Sequence, residues 1–159
     1  MHILLVIAGL TASSTPPVRA PYHTPVPTTF ESRGVDRGAI QAVLDTYTTA
    51  VSTKNRALFE TLLPNTAIPF SGIPLVARSG SPATKTANYE DFRKAVFEGE
   101  PFRQQFRDIH IEQDGMLAQV SLVFVNTTAN DRSWGWKTLQ LIKIGSQWKI
   151  AAEFFTGHD

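Results

Sequence analysis

The chain has 159 residues, of which 42% are hydrophobic and 18% are charged, and its formal net charge is +1. A chain of this length and composition is expected to form one globular domain. The near-zero net charge gives no electrostatic support for a nucleic-acid-binding protein, and the absence of cysteine excludes disulfides and thiolate metal sites.

The N-terminal segment contains an apolar run, Ile3–Leu10, that is followed by small and polar residues. The run is too short to span a bilayer but has the length of the apolar region of a signal peptide. Residues 1–20 are therefore predicted to be a signal peptide, cut after Ala20 or Ala12, and the protein is expected to be periplasmic or secreted without a stable membrane anchor. If the run is instead a first β-strand, the protein is cytoplasmic.

A proline-rich segment follows the apolar run. Residues 13–34 hold five prolines among serines and threonines. Such a composition does not bury enough apolar surface to offset the chain entropy lost on folding. Residues 21–35 are therefore predicted to be a linker without regular structure, and residues 36–157 are predicted to be the folded domain.

Three helices are predicted in the first half of this domain. The first begins with Asp36 as its N-cap, the second runs from a cap at Asn55 to Pro64, and the third runs from a cap at Asn88 to Gly99. The first helix has one apolar face, because its apolar residues recur at helical spacing: Ile40, Val43, Leu44, Tyr47, Ala50 and Val51.

Strands dominate the rest of the chain. Short strands are predicted in "TAIPFSG" (66–72) and "PLVARSG" (74–80), and four longer ones follow Gly99, with hairpin turns at Asp114-Gly115 and Gly145-Ser146. Trp148 is expected to anchor the last hairpin on the first helix. Helices early and strands late predict an α+β fold, with three helices packed on the concave face of a curved antiparallel sheet.

Three segments carry a resemblance to a known superfamily: "AIQAVLDTYTTAVSTKNRALFETLLPNTAIPF", "NYEDFRKAV" and the closing "LQLIKIGSQWKIAAEFFT". Over about Asp36 to Gly157 the chain resembles the nuclear transport factor 2-like superfamily, which includes SnoaL-like polyketide cyclases, ketosteroid isomerase and scytalone dehydratase. The SnoaL-like and lumazine-binding types are the most similar. The resemblance implies a cone of curved, cystatin-like sheet around a pocket, and frequently a dimer through the outer face of the sheet.

The resemblance to ketosteroid isomerase can be tested residue by residue. That chemistry needs a carboxylate base, a tyrosine and a neutral carboxylic acid. Alignment keeps the tyrosine at Tyr47, but the base position falls on Ser71 and the acid position on Gln140. Two of the three groups are absent, so this activity is not expected and no catalytic residue is assigned.

Other acid–base groups are predicted to lie away from the pocket. His110 alternates with two isoleucines and is expected on the outer surface, and His158 is expected to lie in a frayed terminus. Counting two residues per repeat from Trp148 and Ile150 also places Glu153 on the outer face. No spacing typical of metal ligands is found, and no metal or other cofactor is expected.

The same counting predicts which strand residues face the pocket and which face outward. The residues predicted to face the pocket, together with Tyr47 of the first helix, form an aromatic ligand-binding set with few hydrogen-bonding groups: Tyr47, Phe70, Asn126, Trp136, Thr138 and Gln140. These aromatic residues could equally fill an ordinary core. The outer face is predicted to form a homodimer interface, through Val123, Val125, Leu139, Leu141 and Phe155.

The sequence therefore favours an exported domain that binds a small hydrophobic or aromatic molecule without catalytic machinery. The first alternative is an enzyme of the SnoaL, dehydratase or isomerase type, which would transfer protons through Tyr47 and a further acid. The second alternative is a dimerising protein-interaction module. No nucleic-acid partner is expected.

Overall fold

The computed structural model describes residues 27, 29–72 and 88–158, and the fold is given for these residues. Helix α1 (Gly34–Ser52) leads to helix α2 (Arg56–Glu60), strand β1 (Phe70–Gly72) and helix α3 (Tyr89–Arg93), which continues as a π-helical segment, Lys94–Glu98. The long strands are β2 (Arg103–Asp114), β3 (Leu117–Thr127), β4 (Arg132–Ile144) and β5 (Gln147–Phe155). The predicted signal peptide, residues 21–26 and 28 of the predicted linker and the predicted strand at 74–80 lie outside the described residues.

The strands form one sheet in the order β1-β5-β4-β3-β2. Strands β2 to β5 are antiparallel neighbours along the chain, and the short β1 pairs in parallel with β5. Helices α1 and α2 cover one face of this sheet, where the apolar core lies. The predicted α+β class and antiparallel sheet are therefore confirmed. None of the described helices is long and apolar enough to cross a membrane.

Two tight turns connect the long strands. Asp114 pairs with Leu117, so the first turn is Gly115-Met116, one residue later than predicted. Ile144 pairs with Gln147, which leaves Gly145-Ser146 as the second turn, as predicted. Gly115 and Gly145 have φ angles of 55° and 61°, in the left-handed region that glycine adopts at low energetic cost.

The helix caps agree with the sequence at two of three positions. The side chains of Asn55 and Asn88 accept backbone hydrogen bonds at the starts of α2 and α3. Asp36, the predicted N-cap of α1, lies instead in its first turn, because the helix begins two residues earlier. Its carboxylate accepts hydrogen bonds from Lys143 Nζ at 2.6 Å and Trp148 Nε1 at 3.2 Å, so Trp148 does anchor the last hairpin on α1.

The predicted inner and outer faces of β4 are reversed in the structure. Leu139 and Leu141 are fully buried in the core, whereas Trp136 is 54% exposed on the opposite face. Strand β4 carries apolar residues on both faces, so alternation alone does not determine which face is buried. A lysine, Lys137, accompanies the two leucines on the buried face and makes that face look like the solvated one.

Strand β5 contains a β-bulge that changes which residues point inward. Gln140 pairs with Ala152 and Leu141 pairs with Ile150, so Ala151 has no partner on β4. The extra residue shifts the alternation by one position. Glu153 is therefore fully buried, on the same face as Trp148 and Ile150, and its predicted position on the outer face is wrong.

Further changes in face follow from the corrected alternation. Phe155, predicted at the dimer interface, is half-buried and packs edge-on against Phe124 on the inner face, with ring centroids 5.8 Å apart. Leu139 and Leu141 likewise leave the predicted interface for the core. Phe154 takes the outward position and is 39% exposed.

The last residues of the predicted linker are attached to the sheet. Glu31 forms a bridge with Glu112 of β2, and the Ser32 N–H donates to the Ile111 carbonyl at 3.0 Å. Strand β2 is the edge of the sheet, and its free backbone groups offer hydrogen bonds to a passing segment. Ordered structure therefore begins before residue 36, at about Phe30, whose carbonyl accepts from the Gln113 N–H.

Candidate functional site

Three polar side chains meet in the interior between α1 and the sheet. Lys137 Nζ lies 2.7 Å from Glu153 Oε1 and donates to the Tyr47 hydroxyl at 2.6 Å. The Tyr47 hydroxyl in turn donates to Glu153 Oε2 at 2.8 Å. Tyr47 and Glu153 are 0% exposed and Lys137 is 2% exposed. We call these residues the buried trio.

Each member of the buried trio is positioned by a different element. Tyr47 lies on the apolar face of α1, and Lys137 shares the inner face of β4 with Leu139 and Leu141. Glu153 reaches the same place because the bulge at Ala151 turns it inward. The chemistry of the group therefore depends on one extra residue in β5.

Aromatic rings surround the ammonium group of Lys137. Its Nζ lies 4.5 Å from the ring centroid of Tyr47, 5.2 Å from Phe124, 5.4 Å from Phe155 and 5.6 Å from Phe106. Cation–π attraction at these distances replaces part of the hydration that the ammonium loses on burial. The Glu153 carboxylate supplies the opposite charge that a buried ammonium requires.

Burial changes the acid–base properties of the buried trio. Burial, and then the neighbouring Glu153 carboxylate, raises the pKa of Tyr47 well above its ordinary value. Burial lowers the pKa of Lys137, and Glu153 opposes this effect only in part. Tyr47 therefore stays a proton donor to the carboxylate, while Lys137 gives up a proton more readily than a surface lysine does.

A cavity of about 110 Å³ lies beside the buried trio, between the sheet and the segment formed by α3 and the π-helix. Most of its wall is apolar, and Lys137 is part of the wall. The lining residues come from every strand and from the helical segment, and those that matter here are Phe70, Phe92, Val96, Gln104, Phe124, Asn126, Lys137 and Phe155.

Gln104 gives the cavity wall a polar group with a vacant hydrogen-bonding position. Its Nε2 donates to Asn126 Oδ1 at 2.8 Å, and its backbone N–H donates to Ser52 Oγ at 3.0 Å. Its Oε1 is buried and has no hydrogen-bond partner within the described residues. A buried carbonyl oxygen without a partner is unfavourable, so a ligand that donates a hydrogen bond to it gains affinity.

The π-helical segment that borders the cavity is fastened at its C-terminal end. The ammonium of Lys54 donates to the Val96 carbonyl, to the Gly99 carbonyl at 3.1 Å and to the Glu100 carbonyl at 2.8 Å. These oxygens include the carbonyls that a helix end leaves without internal partners. Lys54, two residues after the end of α1, therefore holds the part of the cavity wall formed by Ala95 and Val96.

A second, larger hollow of about 740 Å³ lies on the surface beside α2 and α3. Its charged groups already pair with each other, since Arg56 Nε lies 2.7 Å from Glu60 Oε1 and the Tyr89 hydroxyl donates to the same oxygen at 3.1 Å. Burial, and then the Glu60 carboxylate, raises the pKa of Tyr89 to about 12. No charged side chain as deeply buried as Lys137 borders this hollow in the described part of the chain.

The structure separates the six residues of the predicted binding set. Phe70 and Asn126 line the cavity, and Tyr47 lies in the interior with its hydroxyl engaged by the buried trio. Trp136, Thr138 and Gln140 lie on the outer face, and Gln140 donates to Gln119 there at 3.1 Å. Their predicted pocket position is wrong because the faces of β4 are reversed.

The main residues that the sequence analysis missed are Lys137, Glu153 and Gln104. A signal for Lys137 existed, because it shares its strand face with two leucines. The bulge that turns Glu153 inward has no such signal in "KIAAEFF". Both histidines of the described region lie outside the cavity: His110 is exposed, and the exposed His158 stacks on Trp134 with ring centroids 4.5 Å apart.

Comparison with known proteins gives matches in structure only. No family model matches the sequence, and no curated protein is recognisably similar to it in sequence. A protein of unknown function with a cystatin-like fold from Nostoc punctiforme superposes with a TM-score of 0.63 at 11% identity, over 80% of this chain and 95% of the other.

Two further structures agree with this match. A nuclear transport factor 2-like protein from Cytophaga hutchinsonii has a TM-score of 0.61 at 16% identity, over 77% of this chain and 98% of the other. A candidate scytalone dehydratase from Novosphingobium aromaticivorans has a TM-score of 0.56 at 14% identity, over 79% and 85%. The chain therefore has the nuclear transport factor 2-like fold, as the resemblance of its sequence implied.

Proposed function

We propose that the protein binds a small aromatic molecule with one polar substituent in the cavity beside the buried trio. The observation that carries this proposal is the unpartnered Oε1 of Gln104, a buried acceptor in a wall that is otherwise mostly aromatic. An aromatic wall with a few fixed polar groups is typical of small-molecule sites.

The size of the cavity limits the ligand. At about 110 Å³ it is somewhat smaller than the apolar cavity of about 150 Å³ that accepts benzene in another protein. A single ring is therefore the largest rigid group that fits without movement of the walls. A hydroxyl on that ring has two partners within the wall, the Gln104 carbonyl as acceptor and the Lys137 ammonium as donor.

Binding can be tested by titrating the purified protein with phenol and with toluene while following backbone amide shifts by NMR. We expect both to bind, and phenol to bind more tightly by about 0.5–1.5 kcal/mol, the net contribution of one hydrogen bond. Val96→Phe fills the cavity and should abolish binding, whereas the same change at Val123, on the outer face, should not. Phenol binding unaffected by Val96→Phe contradicts the proposal.

A second candidate function is proton-transfer catalysis. The observation that favours it is the hydrogen bond between Tyr47 and Glu153, because a tyrosine and a buried carboxylate are suitable groups for such a reaction. Glu153 does not border the cavity itself and would act through Lys137 or Tyr47. Once a substrate is found, Tyr47→Phe should lower turnover by about a hundredfold or more, and a smaller loss favours binding alone.

Export of the protein is a separate proposal that rests on the sequence. Its support is the apolar run Ile3–Leu10 followed by small residues, which fits a signal peptide. Expression in the native host, cell fractionation and N-terminal sequencing of the recovered protein test it. A protein found in the cytoplasm with its N-terminus uncut contradicts it.

We also propose a homodimer through the outer face of the sheet, with the residues that the corrected alternation places there. Trp136 and Phe154 are 54% and 39% exposed, and nine outward residues of β3, β4 and β5 carry no charge: Ser121, Val123, Val125, Trp134, Trp136, Thr138, Gln140, Ala152 and Phe154. The exposed Arg107 of β2, which pairs with Val123, borders this set. An uncharged aromatic patch of this kind suits an interface with a second copy of the chain.

Analytical ultracentrifugation tests the dimer. We expect a dimer at micromolar concentration and a monomer for Trp136→Glu, since a buried unpaired carboxylate opposes association. Met116→Glu is the control, because Met116 is exposed in the turn after β2, and this variant should remain a dimer. A wild-type monomer at micromolar concentration contradicts the proposal.

A further inference from the structure

The ammonium of Lys137 has one hydrogen that is not used in the described structure. An ammonium carries three N–H donors. Those of Lys54 are matched by three carbonyl oxygens, whereas Lys137 has two acceptors, the Glu153 carboxylate and the Tyr47 hydroxyl. Aromatic rings surround the Lys137 nitrogen, and within the described residues its hydrogen-bond acceptors are Glu153 and Tyr47.

Lys137 lines the cavity, and its nitrogen lies close to two other lining residues. Phe124 and Phe155 line the cavity, and their ring centroids lie 5.2 and 5.4 Å from Lys137 Nζ. Tyr47 and Glu153 approach the same nitrogen but are absent from the cavity lining. A molecule in the cavity therefore meets the lysine first, with the tyrosine and the carboxylate behind it.

Glu153 is placed to accept a proton from this lysine. Its Oε1 lies 2.7 Å from Nζ, within the reach of direct proton transfer. Only the neutral amine has the free electron pair that attacks a carbonyl carbon, and apolar surroundings favour that form over the ammonium. Burial also lowers the pKa of Lys137, which favours the neutral amine.

We infer that Lys137 forms an imine with a small aldehyde or ketone that enters the cavity. The inference rests on the proposed function, because the carbonyl compound must occupy the same cavity. The inference specifies two things beyond binding: the ligand reacts through a carbonyl group, and the bond forms to the side-chain nitrogen of Lys137. An aldehyde on a single aromatic ring matches the apolar wall, and its ring is the largest rigid group that the cavity accepts without movement of the walls.

The reaction balances without any further reagent. Lys137 passes one proton to Glu153, and its free electron pair forms a bond to the carbonyl carbon while a second proton moves from the nitrogen to the carbonyl oxygen. Glu153 then returns its proton to the resulting hydroxyl, which leaves as water, and a protonated imine remains. Overall, one ammonium and one carbonyl compound give one protonated imine and one water, so the positive charge beside the Glu153 carboxylate is preserved.

Reductive trapping tests the inference on the full-length protein. The protein is incubated near neutral pH with benzaldehyde and sodium cyanoborohydride, and benzylated lysines are located by peptide mass spectrometry. We expect Lys137 to be labelled about a hundredfold faster than Lys143, because the cavity holds the aldehyde beside Lys137 and proximity contributes at least that much. Lys143 is a matched control, since it also pairs with a carboxylate, that of Asp36 at 2.6 Å, but does not line the cavity.

Two variants sharpen the result. Glu153→Gln should slow labelling of Lys137 by about tenfold or more without changing that of Lys143, because the proton acceptor is lost. Lys143→Arg should leave labelling of Lys137 unchanged. The wild-type labelling pattern decides the question even if the first variant does not fold.

Benzyl alcohol, which cannot form an imine, separates this inference from the proposed function. If benzyl alcohol binds in the cavity by NMR but Lys137 is labelled no faster than Lys143, the imine is ruled out and small-molecule binding stands. If benzyl alcohol does not bind and Lys137 is not labelled, both proposals fail. Preferential labelling that disappears in Val96→Phe supports both.

Discussion

The hydroxyl of Tyr47 donates a 2.8 Å hydrogen bond to Glu153, which lies 106 residues further along the chain and is equally inaccessible to solvent. The bond joins α1 to the last strand across the whole core. Neither group can exchange its partner for water, so each depends on the other. The hydrogen bond therefore contributes to the stability of the fold and also orients the groups proposed to act beside the cavity.

Removing the Tyr47 hydroxyl should destabilise the protein, because Glu153 and Lys137 each lose one of their buried hydrogen-bond partners. We expect Tyr47→Phe to lower the free energy of unfolding by about 1–3 kcal/mol, measured by urea denaturation. Tyr89→Phe is the matched control, because its hydroxyl bonds to the partly exposed Glu60, and should lose less than about 1 kcal/mol. Equal losses contradict the argument.

The ion pair between Lys137 and Glu153 should be strongly coupled. Lys137→Met alone leaves a buried carboxylate unpaired and should lower the free energy of unfolding by about 3–5 kcal/mol. Combining it with Glu153→Leu removes both charges and should recover most of that loss, because an apolar pair of similar volume suits the same space. Additive losses in urea denaturation would show that the two charges are not paired in solution.

Trp148 should be a major anchor of the last hairpin. It is 3% exposed and donates its indole N–H to Asp36. We expect Trp148→Ala to lower the free energy of unfolding by about 3–5 kcal/mol, as large-to-small changes in cores do. Trp134→Ala, on the outer face at 45% exposure, should lose less than about 1 kcal/mol in the same denaturation experiment.

Replacing Gly135 or Gly38 by alanine should change the stability of the protein in opposite directions. A methyl group at Gly135 would collide with the Thr156 carbonyl oxygen and lie 2.7 Å from the Phe124 ring, so Gly135→Ala should cost about 2 kcal/mol or more. Gly38 lies in α1 with nothing within 4 Å, so Gly38→Ala should raise the melting temperature, by a gain of about 0.5–1 kcal/mol. Thermal denaturation of both variants checks the pair.

Protonation of Asp36 in acid should lower the free energy of unfolding. The hydrogen bond from Lys143, followed by those from Gln113 and Trp148, lowers the pKa of Asp36 below 3.8. The unfolded chain therefore takes up a proton at this site before the folded chain does, and stability rises with pH across that interval. The contribution of Asp36 is present above pH 3.8 and is lost as the pH falls through the folded pKa.

Urea denaturation of wild type and Asp36→Asn at several pH values measures this effect. We expect the wild type to be more stable at pH 7 and the difference to shrink below pH 3.8. Asp45→Asn is a control on the exposed side of α1, where the carboxylate accepts from Gln41 alone among side chains of the described region. A difference that does not depend on pH contradicts the assignment.

The fold was predictable from the sequence because its longest elements, α1 and the strands β2 to β5, repeat their patterns over many residues. Six apolar positions define the buried face of α1, and glycines mark both hairpin turns. Such long patterns tolerate small errors at an end, as at α1, whose N-cap was predicted at Asp36 and is Arg33. The agreement therefore extends to element order, type and approximate bounds.

The site was not predictable by the same counting, because it depends on single residues. On β4, Lys137 lies among buried leucines and conceals the inner face. On β5, one unpaired alanine moves Glu153 from the outer face to the core. A bulge is a local backbone event that leaves no periodic trace, and it often occurs beside functional groups.

The buried pair also restricts how this sequence can change over generations. A single neutral substitution at Lys137 or at Glu153 leaves the other charge buried without an opposite charge, which destabilises the fold. Selection should therefore remove most chains that carry only one of the two changes before the second arises. We therefore expect related chains to keep both residues or to lack both. An alignment of true homologues should show positions 137 and 153 changing together, with few intermediates in which one charge survives alone.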